Sequence, residues 1–164
     1  MPRDLILPVS MLMGLAAYAL IAKWYVMPVL NGLPRARALV PLLLLHCFRF
    51  IGLAFLIPGV TSQPLDPRFA NPAAYGDLLA ALLAFLGILA LHRRWRTAIP
   101  LVWLFNVEGT LDLLNAVTQG LRYTDDGNLG ATFFIPIMVV PALLVTHVMI
   151  FIILLRGDSR KDHL

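Results

Sequence analysis

Residues 131–155, A-T-F-F-I-P-I-M-V-V-P-A-L-L-V-T-H-V-M-I-F-I-I-L-L, contain no Asp, Glu, Lys or Arg. A run of that length belongs in a bilayer or at the centre of a very large core. The chain has only 164 residues, of which 60% are hydrophobic and 13% charged, and its mean hydropathy is +0.83. A soluble domain of this size has no means of hiding so much apolar surface, so the reading is a polytopic membrane protein.

Five spans can be drawn, at about Leu5–Ala22, Ala38–Ile57, Ala73–Leu91, Ile99–Gln119 and Ala131–Leu155. Basic residues cluster between them. Lys23, Arg35 and Arg37 follow the first span, Arg93, Arg94 and Arg96 follow the third, and Arg156, Arg160 and Lys161 follow the fifth. The opposite side carries only Arg3, Arg68 and Arg122. By the positive-inside rule the N-terminus lies outside and the C-terminus in the cytoplasm. The expected fold is therefore all-α, an integral membrane bundle of five transmembrane helices. Residues 1–157 make one domain, and 158–164 form a short polar cytoplasmic tail. The net charge of +4 is explained by these topology clusters, so the expected partner is the lipid bilayer, with no nucleic acid.

A competing reading removes the first span as a signal peptide cleaved near Ala17-Tyr18-Ala19. Asp4 cancels Arg3 in its basic region, and cleavage would strand Lys23, Arg35 and Arg37 outside. The segment Pro58–Pro72 is stiffened by Pro58, Pro64, Pro67 and Pro72 and has the makings of a lid. Asn71-Pro72, an N-cap residue before a proline, marks the expected start of the third helix.

The fourth span is the unusual one. It carries Asn106, Glu108, Asp112 and Asn115, and at about 100° per residue Glu108, Asp112, Asn115 and Gln119 share one stripe. Ionisable groups at that depth are expensive and by default mark a site facing the protein interior. In the second span His46 and Arg49 are three apart and so neighbours on one helix face. At about 1.5 Å per residue, Arg49 lies roughly 13 Å below the outer surface, Glu108 roughly 15 Å and Asp112 roughly 9 Å. Contact between Arg49 and at least one of these acids is expected, because an unpaired guanidinium there costs about 2.5–3.5 kcal/mol. One guanidinium against two carboxylates leaves a negative charge, which protonation of His46 or of one acid would cancel.

The stripe continues through Asn115 and Gln119 to Arg122, suggesting a polar funnel that opens outward. Asn106 lies off the stripe and is expected to bond a neighbouring helix, which Gly109 lets approach closely. In the fifth span Pro136 and Pro141 free the carbonyls of Thr132 and Ile137. By the same count, His147 falls roughly 7 Å deeper than His46. That mismatch argues against the two as haem ligands, and a zinc site from His46, Glu108, Asp112 and His147 lacks diagnostic spacing. No metal and no cofactor is expected. Phosphate loops, H-E-x-x-H and G-x-S-x-G are absent from the sequence. The single cysteine, Cys47, reads as a small buried thiol.

The run His46-x-x-Arg49-x-x-Gly52, then Phe69-Ala70-x-Pro72 with Gly76-Asp77, resembles a loose family of small bacterial multi-span proteins of uncharacterised function. Asn106-x-x-Gly109-x-x-Asp112-Leu113, followed by Pro136, Pro141 and His147, extends the resemblance over most of the chain. It implies a bacterial inner-membrane setting and no activity. Through it alone Asp77 joins the candidate residues, whereas Glu108 falls outside the pattern.

The leading functional expectation is a buried ionisable cavity, open outward, that binds or moves a small polar or amphiphilic ligand with proton exchange. Arg49 would hold an anionic group or the acids, Asp112 with Glu108 would carry the proton, and His46 would tune it. The second expectation is an intramembrane acid–base enzyme acting on a lipophilic substrate, with His46 paired to Asp112 or Glu108. The third is a structural or assembly subunit in which the ion cluster only sets helix register.

Overall fold

A computed structural model describes residues 5–124 and 126–156, with Asp126 described by its backbone only. The tail 158–164, Arg3, Arg160 and Lys161 lie outside the described residues. Among the described residues the chain is all-helical, without strands. Four helices are long and apolar enough to cross a membrane: Ile6–Asn31, Arg35–Leu56, Pro67–His92 and Gly130–Leu155. The helix Ala98–Tyr123 equals the longest of them at 26 residues, but Asn106, Glu108, Asp112, Asn115 and Gln119 leave it less apolar.

The first helix continues to Asn31, past the expected end at Ala22. Pro28 should have stopped it, since proline has no N–H to give. The chain instead widens into a π-turn over Ala22–Val26, closed by Met27 N–H on the Ala22 carbonyl, and resumes as α-helix. The last helix repeats the device. A π-turn over Ile135–Val139 is closed by Val140 N–H on Ile135, and Pro141 follows it by two residues as Pro28 follows the other. The Ile137 carbonyl expected to be free at Pro141 is covered by the first helix. A Cβ at Gly14 would sit 2.6 Å from it, so only glycine lets the two backbones meet.

The second helix changes form midway. It is α-helical over Arg35–His46 and a 3-10 helix over Cys47–Leu56. Ten residues is long for a 3-10 helix, a form often found at functional or strained positions. Three residues per turn aligns His46, Arg49, Gly52 and Phe55 in one straight row. All four are buried, while Phe48, Phe50 and Ile51 are exposed.

The third helix lies at the centre, packed against the second on one side and the Ala98–Tyr123 helix on the other. Its buried residues Ala70, Ala73, Ala74, Ala80, Ala81 and Ala84 form a stripe of small side chains that admits both neighbours closely. The expected start at Asn71-Pro72 is corrected. The helix begins at Pro67, capped by Asp66, whose Oδ1 accepts from Arg68 N–H at 2.8 Å. The same cap-then-proline chemistry occurs earlier in the chain, and Pro72 falls within the first two turns.

The connections at this end are tied together. Ser62 N–H donates to the Asn128 carbonyl at 3.1 Å and Ala131 N–H to Val60 at 2.9 Å. Gly130 has φ +54°, and a Cβ there would meet the Val60 carbonyl at 2.7 Å, so the lock requires glycine. Large apolar side chains face outward on the rods, among them Leu12, Met13, Phe48, Leu111 and Val148. Such an exterior suits hydrocarbon and would be a liability in water.

Candidate functional site: a buried arginine beneath an apolar cavity

Arg49 is 1% exposed, and its guanidinium joins three other helices. Nε donates to Asp77 Oδ1 at 2.7 Å on the third helix, and Nη2 donates to Asp112 Oδ2 at 2.6 Å on the fourth. Nη1 donates to the Gly109 carbonyl at 3.1 Å and lies 3.3 Å from His147 Nε2 on the last helix. Charged, planar and rigid, the fork suits acceptors in one plane as an ammonium would not. Space for it is left by three glycines. A Cβ at Gly52 would collide with the Asp77 carboxylate, one at Gly76 with the Asp112 carboxylate, and one at Gly109 with Arg49 and His147.

The orientation of His147 follows from Asn106. The Asn106 Nδ2 donates to the His147 main-chain carbonyl at 3.2 Å, which turns its Oδ1 to the ring, 2.7 Å from Nδ1. Nδ1 is therefore the donor, and Nε2 offers its lone pair to Arg49. Asn106 does bond a neighbouring helix, and through it orients a ring that meets the guanidinium.

His46 is corrected in two respects. Its ring lies 4.2 Å from that of His147, centroid to centroid, where the sequence count separated them in depth. The count took 1.5 Å per residue throughout, but ten residues of 3-10 helix at 2.0 Å lower His46 by about 5 Å. The π-turn shifts the register of the opposing helix as well. With the rings packed against each other, no macrocycle fits between them. The expected pairing of His46 with Asp112 or Glu108 is not found either. Its Nε2 lies 3.0 Å from Thr146 Oγ1, whose proton goes to the carbonyls of Ala142 and Leu143, so His46 donates there. Its Nδ1 is buried without a partner.

Glu108 is half-buried, with Oε2 buried and unpartnered, and makes no bond to Arg49. Along the expected polar funnel Asn115 and Arg122 are exposed and Gln119 is half-buried. A cavity lies instead on the adjacent, apolar face of the same helix, lined there by Leu113, Ala116, Val117, Gly120 and Leu121. Phe55, Phe69 and Ala73 form its second wall, and Leu7, Met11, Ile135 and Val140 its third. It is small, with a cavity volume of about 60 Å³, and part of it is open to the outside. Among the described residues Asp77 is its one ionisable lining residue. At the same end Arg68 stacks on Tyr123 at 4.1 Å and is bound by Asp66 at 2.6 Å. That bond, with the Arg68 backbone N–H, lowers the Asp66 carboxyl to about 2.

Asp77 thus belongs to both the cluster and the cavity, and it was reached from the sequence only by resemblance. A physical signal was present, since an acid at position 77 continues the small-residue stripe of positions 70, 73, 74, 80, 81 and 84. Among the described residues no group of three His, Cys, Asp or Glu side chains has the geometry of a metal site.

The fold and cluster define an all-helical protein with four helices apolar enough to cross a membrane and an arginine buried among them. The chain belongs to the family described as a domain of unknown function, DUF8737, which it matches over residues 6–155. Neither the curated proteins nor the solved structures compared with it give a match.

Proposed function

We propose that the chain crosses a bacterial inner membrane five times, N-terminus outside, and binds an amphiphilic ligand in the cavity beside Asp77. The fourth crossing is the Ala98–Tyr123 helix. Its polar residues Asn106, Glu108 and Asp112 are half-buried or buried, which removes most of the cost of placing them in lipid. Arg35, Arg37, Arg93, Arg94, Arg96 and Arg156 lie at one end of the helices, and the cavity lies toward the other, outward end.

The observation that carries the binding reading is the double position of Asp77. An apolar trough with a few polar groups, here Asp77 and Thr124, is the usual form of a small-molecule site. Asp77 is held in place by Arg49, which donates to Asp77, Gly109 and Asp112 and does not line the trough, so Arg49 positions Asp77. Proton exchange fits a cluster of three carboxyls around one guanidinium. The test is Ala116→Phe, which fills the trough away from the cluster, in full-length protein in lipid nanodiscs. Retention of decanol, read by native mass spectrometry, should fall at least tenfold while thermal stability is kept. Unchanged retention overturns the reading.

A structural role is the second reading, favoured by the bonds from Arg49 to three other helices. It expects cavity-filling variants to be silent in every binding measurement.

A further inference from the structure

We infer that the molecule taken by this cavity is a lipophilic cation, with an apolar tail of one slender chain and a primary ammonium head against Asp77. The inference rests on the binding reading above and adds the chemical class of the ligand.

The walls set the tail. Phe69, Ala73 and Asp77 follow one another at intervals of four residues on the third helix, so Asp77 lies about 12 Å along the axis from Phe69. Across from them Leu113, Val117 and Leu121 form the matching apolar row on the Ala98–Tyr123 helix. The trough between is narrow, with a volume of about 60 Å³. The Phe69 ring packs closely on Gly120, where a Cβ would come within 3.3 Å of it. So little room favours a single slender chain over a fused ring system.

The head is set by what Asp77 lacks. Its Oδ1 takes the Arg49 Nε–H, while Oδ2 accepts no hydrogen bond among the described residues, and the side chain keeps 11% of its surface exposed. Oδ2 lies against Gly52, and Asp77 lines the trough, so a ligand there meets a carboxylate acceptor, which calls for N–H or O–H. Charge then separates amine from alcohol. Asp77, Glu108 and Asp112 surround one guanidinium, and among the described residues no Lys or Arg lines the cavity. Arg68, near the mouth, is bound to Asp66 and lies against Tyr123. An ammonium adds the missing positive charge where the dielectric is low, whereas a carboxylate or phosphate head would place another anion beside acids with no cation to receive it. Three N–H donors on a compact ammonium also match a carboxylate oxygen at the end of a narrow trough.

Four probes with one tail test this on the full-length protein in nanodiscs, read by native mass spectrometry: decylamine, decyltrimethylammonium, decanol and decanoate. Decylamine should be retained at least tenfold over decanoate. It should also exceed decyltrimethylammonium, which carries the charge without N–H, and decanol, which carries the donor without charge. In Asp77→Asn the preference of amine over alcohol should disappear. Should that variant fail to fold, the wild-type series decides alone. Decanoate retained as well as decylamine, or an Asp77→Asn protein that keeps the preference, overturns the cationic class and leaves the cavity reading standing. Failure of all four probes to bind overturns the cavity reading itself, and this inference with it.

Discussion

The carboxylate of Asp77 fills the volume that a side chain at Gly52 would need. A Cβ built there would overlap the acid, and the same holds for Gly76 and the Asp112 carboxylate. The two glycines are thus part of the ion cluster although they bear no charge. They let a guanidinium on a 3-10 helix reach acids on two other helices, at 2.7 and 2.6 Å.

Gly52→Ala and Gly76→Ala should each lower stability by about 3 kcal/mol, because the methyl group displaces an acid and so breaks a buried pair. Gly87 is the control in the same central helix. An added Cβ there meets Leu43 and Val102 at 3.6 Å, an ordinary contact, so Gly87→Ala should fall within about 1 kcal/mol of the parent. Thermal unfolding in detergent measures all three. Equal effects at the three positions would mean that the cluster does not depend on the glycines.

Arg49→Leu removes the one cation facing Asp77 and Asp112 and should cost about 3–5 kcal/mol. Arg49→Lys should recover little of that, since a single ammonium cannot serve acceptors on three helices at once. Combining Arg49→Met with Asp77→Asn and Asp112→Asn leaves only the half-buried Glu108 charged in the cluster and should regain much of the lost stability. If decylamine binding returns with the stability in that triple variant, Asp77 is not the anchor.

The ring of His147 should carry its proton on Nδ1, toward Asn106, with Nε2 as the acceptor for Arg49. Selective ¹⁵N labelling of histidine reads this directly, because protonated and lone-pair ring nitrogens resonate far apart. Asn106→Leu would orphan the Nδ1–H and leave the His147 carbonyl only its helix bond, at a cost of about 2 kcal/mol. A lone-pair signal from Nδ1 in the parent protein would refute the arrangement.

Much of this architecture was legible in the sequence wherever it rested on hydropathy or on single-helix spacing. The apolar runs located the rods, and the three-residue spacing of His46 and Arg49 put both on a common face. What was not legible came from departures from α-helical geometry. A uniform 1.5 Å rise misplaced His46 relative to His147, because nothing in C-F-R-F-I-G-L-A-F-L announces a 3-10 helix. The first span was drawn only to Ala22, and Pro141 was expected to free a carbonyl, yet a π-turn two residues before Pro28 and before Pro141 lets each helix run on. The polar stripe through Asn115 was real, but the fourth helix is rotated so that Ala116 and Val117 face the cavity instead. Which face turns inward depends on the small-residue stripe of the third helix, a feature of another segment altogether.

Asp66 gives a prediction outside the apolar spans. Its carboxyl is lowered to about 2, from an ordinary value near 4, by the Arg68 side chain and backbone N–H. A depressed carboxyl pKa contributes stability that is fully present above the unfolded value and is lost as pH falls toward the folded one. The start of the third helix should therefore stay protected at pH 5 and open progressively between about pH 4 and pH 2. Hydrogen exchange at the amides of Arg68 and Phe69 reports it. Asp66→Asn keeps a capping oxygen for the Arg68 amide but lacks the charge, so it should remove the pH dependence while keeping most of the protection. Asp66→Ala should lose both. Protection that stays flat down to pH 2 in the parent protein would show that the cap is held by the tied loops, through Ser62 and Asn128, and owes nothing to its charge.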